Sequence, residues 1–224
     1  YDYLIMNGPW YLGRKDIGYS KVINKKLMIK FGNKPYVDIR CSFNSLIPNP
    51  IHKSIKKKLL KFYYKKLQEN PYLHDKVEFE ILFSCYEPYM ENRLEELLNY
   101  DFTNDEIIEL KKLLLEFTNS TINKFNSLSQ ECYISIEKMK TNRKKILADL
   151  SKKEPTYKEL LLSSKLLLED CKNLGTIPFS MMARLSFISS SILKALIKNK
   201  QLSEKSAETF MNSIDTPLSQ FQKD

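Results

Sequence analysis

Pro35-Tyr36-Val37-Asp38-Ile39-Arg40-Cys41-Ser42-Phe43-Asn44-Ser45-Leu46-Ile47-Pro48 alternates polar and apolar side chains through most of its length. Alternation with a period of two is the pattern of a β-strand with one buried face. It sets Tyr36, Asp38, Arg40 and Ser42 on one side and Val37, Ile39, Cys41 and Phe43 on the other. His74-Asp75-Lys76-Val77-Glu78-Phe79-Glu80-Ile81 repeats the pattern, with Glu78 and Glu80 opposite Val77, Phe79, Ile81 and Phe83. Paired as strands, the two stretches bring a guanidinium and three carboxylates onto one sheet face. Beside a cleft, that face suits a zwitterion, arginine taking a carboxylate and glutamate an ammonium. Turned to water, it is an ordinary solvated face with cross-strand charge pairs.

Working outward, residues up to about 48 read as strand-rich. Short β-prone runs lie near Tyr19–Ile23, Leu27–Phe31 and Tyr36–Phe43, and Gly32-Asn33-Lys34 predicts a hairpin turn between the last two. Pro48 and Pro50 break the chain before a helix from about Ile51 to Glu69, which Pro71 ends, and a strand follows over Val77–Cys85. After Pro88 every pattern is helical. Thr103 with Glu106 has the form of a capping box opening Ile107, Leu110, Leu113, Leu114 and Phe117, a periodicity that continues towards Leu150. Pro155 starts a helix that Gly175 stops, Pro178 starts another to about Ile197, and Ser203 opens the last. The prediction is an α+β fold, a mainly helical domain with a small antiparallel β-sheet near its N-terminal half. Residues 1–224 are expected to form a single domain, strand-rich over 1–88 and helical over 89–224. The chain opens on Tyr1 and closes on Gln222-Lys223-Asp224, which predicts a piece excised from a longer polypeptide.

The composition, 42% hydrophobic and 28% charged, is that of a globular protein. No apolar run long enough to span a bilayer stands out, and the four cysteines lie too far apart for zinc or redox pairs, so a cytoplasmic location with reduced thiols is expected. The net charge of +9 is uneven: Lys53–Lys66 holds seven lysines and no acid. A nucleic-acid surface would fit the charge, but no RNA- or DNA-binding motif accompanies it. Leu59, Leu60, Phe62 and Leu67 make an apolar stripe, so the lysines read as the wet face of a docked helix. Neither nucleic acid nor membrane is expected as a partner.

The five glycines form no phosphate cradle, and no metal constellation is spaced for coordination. His74 is flanked by Asp75 and Lys76, which can set its tautomer and charge, whereas His52 sits at a helix start. Gly175-Thr176-Ile177-Pro178-Phe179 reads as a helix start whose open N–H groups suit an anion. Arg184 lies in the apolar helix beyond it and calls for either a protein carboxylate or a ligand anion.

Taken together, the Pro35–Ser45, His74–Glu80 and Gly175–Phe179 segments, with Ala183-Arg184, resemble the middle region of phosphoenolpyruvate-synthase-like proteins of the dikinase superfamily, above all the glutamine kinases of bacterial capsule phosphoramidate synthesis. The resemblance runs from about Gly8 to the Thr216 region. It implies a three-part transferase in which an ATP-grasp region and a phosphohistidine region flank this chain. ATP, with magnesium, would phosphorylate the mobile histidine with overall release of AMP and phosphate. The histidine would then pass its phosphoryl group to the side-chain amide of L-glutamine held here. No cofactor is expected in this chain, which alone should be inert. Within that frame, residue chemistry assigns the carboxylate to Arg40, with Arg184 second, and the ammonium to Glu78 and Glu80. Asn44 and Ser45 would orient the amide, and His74 or Asp75 would take its proton. A different small acceptor in the same machine, or a non-catalytic helical interaction module, are the alternative expectations.

Overall fold

Pro9, with no N–H to lose, occupies the first turn of α1 (Pro9–Ile17) in a computed structural model that describes residues 8–22 and 26–215. The hairpin follows as predicted: β1 (Met28–Phe31) pairs antiparallel with β2 (Lys34–Val37), Phe31 opposite Lys34. Its two-residue turn needs positive φ at both positions, supplied by Gly32 at 52° and Asn33 at 65°. Beyond this hairpin the described residues form only an isolated bridge, Tyr19 to Pro48, and otherwise helices and loops. The fold is therefore mainly helical α+β with a small antiparallel sheet near the N-terminal half.

The strand-rich reading of residues 1–88 is corrected in three places. Within the predicted Tyr19–Ile23 run only the Tyr19 bridge forms, and Ile23 lies outside the described residues. The predicted strand Tyr36–Phe43 ends at Val37, because the Asp38 carboxylate accepts from the N–H groups of Arg40 and Cys41 and caps α2 (Ile39–Asn44). The predicted strand Val77–Cys85 is a single turn, α4 (Val77–Glu80), followed by a buried irregular segment. Side chains satisfy that segment's backbone in place of a partner strand. Phe83 N–H donates to the Tyr63 hydroxyl at 3.0 Å, Tyr19 donates to the Ser84 carbonyl at 2.8 Å, and Arg93 donates to the Leu82 carbonyl at 3.2 Å.

The helical half follows its sequence signals closely. α3 (Lys53–Glu69) buries Ile55, Leu59, Phe62 and Tyr63, and α5 is a short turn (Glu91–Glu95). Capping boxes at Thr103 and Thr156 open α6 (Asn104–Asn123) and α8 (Tyr157–Asp170), with α7 (Phe125–Leu150) between them. Ser203 caps α10 (Glu204–Ser213). Gly175 does not stop the chain: a wide turn, Cys171–Thr176, carries α8 into α9 (Ile177–Lys198). The helical run Tyr157–Lys198 contains a window long and apolar enough to cross a membrane, which the sequence reading did not foresee. In the fold 39% of that window is buried, and α9 places Met181, Leu185 and Ile188 in a core.

Two cores share α6. Leu110 and Leu114 join Phe43, Leu59, Phe62, Tyr63, Ile81–Phe83 and Leu97, while Phe117 packs with Ile17, Tyr19, Cys85, Leu128 and α9. The cysteines are thiols, with Cys41, Cys85 and Cys132 buried and Cys171 exposed. Three lysines of α3 face acids of other elements: Lys58 meets Glu106 at 2.6 Å, Lys61 meets Asp101 at 3.2 Å, and Lys66 meets Glu96. That is the arrangement of a solvated helix face.

Burial pushes the Tyr19 phenol up to about 12 and raises Tyr63 further still. Their folded pKa values exceed the unfolded value near 10, so their stabilisation is complete below pH 10 and lost as pH rises through about 12. In an alkaline titration these two tyrosines should ionise together with the loss of helical circular dichroism. Full tyrosinate absorbance near pH 10 with helicity intact would show that they are not sealed.

Candidate functional site

Arg14 and Arg184 converge on one carboxylate from two helices. Arg184, on α9, donates through Nη1 to Glu78 Oε2, while Arg14 Nη2, on α1, lies 3.6 Å from Glu78 Oε1. Arg14 also donates through Nη1 to Ser45 Oγ at 2.5 Å, and Ser45 in turn donates to the Ser42 carbonyl. Both arginines are buried, 4% and 3% exposed, so the cluster sets two buried positive charges against one negative. Nε of each guanidinium is buried without a hydrogen-bond partner. Rings flank the charges, with Trp10 5.8 Å from Arg14 and Tyr19 and Phe187 5.4 and 4.9 Å from Arg184. Burial pulls Arg14 down to about 10, with Glu78 raising it and Arg184 lowering it. Burial also opposes the charge on Arg184, but Tyr19 and Glu78 outweigh it and its pKa is raised. Both are cationic at neutral pH.

A cavity of about 800 Å³ opens beside this cluster, and Arg14 and Glu78 contribute to its wall. The other walls are apolar: Trp10, Phe43 and Leu67, with Phe79, Phe179 and Phe187, and residues of β2 and α2 at the rim. Its size falls high in the range of roughly 300–1,000 Å³ typical of small-molecule sites. His74 and Asp75 line it from exposed positions. His74 Nδ1 lies 3.2 Å from the Pro71 carbonyl, which can only accept, so Nδ1 carries the proton and Nε2 is the basic nitrogen of the neutral ring. The Pro71 carbonyl, rather than Asp75 or Lys76, fixes the tautomer.

Compared with family models, curated proteins and solved structures, the chain matches none of them. The site is therefore read from its own chemistry.

Of the predicted substrate-binding set the cavity gathers Glu78, backed by Arg184, and beside it the two predicted proton acceptors, His74 and Asp75. Arg40 is elsewhere. Its side chain is 79% exposed and reaches Asp38 at 3.6 Å, so it clamps no pocket carboxylate. Glu80 is exposed and lines a separate shallow cleft with Glu87, Arg93 and Lys194. The reason is the change of period: residues two apart share a face in a strand but diverge by about 200° on a helical turn. Asn44 turns its amide back to the Arg40 carbonyl at 2.8 Å, and Ser45 is occupied by Arg14 and Ser42. Neither lines the cavity. Thr176 offers no open helix start, since its backbone is helical (φ −70°, ψ −36°) and its hydroxyl donates to the Cys171 carbonyl at 3.2 Å. Among the described residues no three His, Cys, Asp or Glu side chains are grouped to hold a metal. Arg14 is the functional candidate that the sequence reading missed: Gly8-Pro9 marks the start of its helix, but no local pattern marks the arginine.

Proposed function

We propose that this chain is the acceptor-binding part of a dikinase-type phosphotransferase, and that its cavity holds a small acceptor, L-glutamine on the strength of the segment resemblance. The observation that carries the reading is the cavity itself, where Arg14, a fixed-tautomer histidine and the carboxylates of Glu78 and Asp75 meet in one open space. Nucleotide chemistry belongs to other regions in this reading, since the sequence has no phosphate cradle. A phosphohistidine presented at the mouth would be attacked by the acceptor amide nitrogen. The imidazole–phosphorus bond breaks as the new nitrogen–phosphorus bond forms, and His74 Nε2 accepts the proton, with Asp75 stabilising the imidazolium. Because Lys58, Lys61 and Lys66 of α3 already face acids of the same chain, the interaction-module alternative has less of the basic face it would use.

Calorimetric titration of the chain tests this reading. L-glutamine is expected to bind saturably, with a dissociation constant of roughly 1 μM to 1 mM, as for typical enzyme substrates. ATP is expected to give no binding heat. Low-micromolar ATP binding would contradict the assignment of nucleotide chemistry to other regions, and silence with glutamine would contradict the acceptor.

A further inference from the structure

We infer that Arg14, on the cavity wall and backed by Glu78 and Arg184, is a carboxylate seat, and that the preferred ligand is an organic acid with an apolar, ring-sized body. This goes beyond the reading above by naming a ligand without an ammonium in place of L-glutamine, and it rests on that reading only in taking this cavity as the ligand site.

Charge comes first. Two buried guanidiniums share one carboxylate, leaving one positive charge uncompensated in the cluster. Buried unpaired charge is costly, and an incoming anion relieves it. An ammonium would add to the excess, so Glu78, already shared by two arginines, is not the ammonium site the sequence suggested. Geometry then singles out Arg14. Arg184 makes its hydrogen bond to Glu78 and lies between the Tyr19 and Phe187 rings, whereas Arg14 meets Glu78 only at 3.6 Å. That distance is an ion pair without a full hydrogen bond, and Arg14 Nε has no hydrogen-bond partner. Nε is sealed from the cavity, but Arg14 itself lines it, and Nη2, held only by the 3.6 Å ion pair, is the donor that a ligand carboxylate would take.

The walls decide the rest of the ligand. Trp10, Phe79, Phe179 and Phe187 offer ring faces, and a polar body would displace water from them without replacing its hydrogen bonds. A free phosphate or a simple inorganic anion would use the seat and leave the walls empty.

The test uses 3-phenylpropanoate, 3-phenylpropanamide, L-glutamine and inorganic phosphate, titrated into the whole chain. Phenylpropanoate is expected to bind at least about tenfold tighter than its neutral amide, by loss of a charged hydrogen bond, and also tighter than glutamine or phosphate. Arg14→Lys keeps a charge but loses the planar fork and should weaken phenylpropanoate roughly tenfold to a hundredfold. Arg40→Ala should leave it unchanged. Equal affinity for acid and amide overturns the carboxylate seat, without any variant needing to fold. Tight glutamine binding with no competition from phenylpropanoate overturns the ligand class and leaves the acceptor reading standing. Phenylpropanoate binding without glutamine binding does the reverse, and phosphate binding best would make the seat one for phosphoryl groups, against the inference.

Discussion

Replacing Glu78 with alanine is expected to cost about 3–5 kcal/mol, because it strips the partner from buried charges rather than removing a surface contact. Arg14 and Arg184 are 4% and 3% exposed, and each repels the other once Glu78 is gone. In a chain of this size the loss corresponds to a fall in Tm of roughly 6–20 °C. Chemical denaturation and a thermal scan would measure it. Shape loss alone is separated by a second variant, Arg14→Met with Glu78→Met and Arg184→Met, which deletes all three charges together. That triple variant should recover much of the stability, since well-packed apolar replacements of buried ion clusters are often neutral or better. A Glu78→Ala protein within about 0.5 kcal/mol of the parent would show that the arginines find water, and the charge imbalance would not exist. Arg40→Ala, by contrast, removes an exposed ion pair with Asp38 and should stay inside that limit.

The contrast between Arg40 and Arg14 shows where the sequence was legible. Local chemistry with a fixed offset could be read directly. Thr103 with Glu106, Thr156 with Glu159, Ser203, and the positive-φ pair Gly32-Asn33 all do what their residue types dictate within three positions. The two supposed strands failed for a different reason. Asp38 is both a polar residue in an alternating run and a helix N-cap, and the cap wins because it satisfies two N–H groups at once. Around Ile81–Phe83, alternation could not reveal that Tyr63, Tyr19 and Arg93 would supply the hydrogen bonds of a missing neighbour strand. Arg184's need for a carboxylate was readable from its apolar helix, and Glu78 supplies it. The third member was hidden, since Arg14 lies sixty-four residues from Glu78 and in a segment that read as irregular. Tertiary packing of α1 on α9 makes the site, and no short-range pattern encodes it.

That packing is where the second large effect is expected. Gly13 lies one residue before Arg14, and a Cβ there would sit 2.9 Å from the Ile177 carbonyl oxygen and 2.9 Å from both Cβ and Oγ of Ser180. Ser180 is itself fixed, because its hydroxyl donates to the Trp10 carbonyl across the helix pair. Two terms compete in Gly13→Ala. Alanine gains about 1 kcal/mol of helix propensity over glycine, whereas overpacking costs about 1–3 kcal/mol. The clash should win, because one of the close atoms belongs to the α9 backbone and cannot rotate away. A net loss of up to about 2 kcal/mol is therefore expected in denaturant titration. The functional loss should be larger than this figure implies, since α1 must move off α9 and Arg14 and Trp10 move with it. Ligand affinity should thus fall at least about tenfold at temperatures where the variant remains folded. A Gly13→Ala protein as stable as the parent, with unchanged binding, would mean the helix pair yields by the few tenths of an ångström required. The placement of Arg14 would then depend on Glu78 and Ser45 alone.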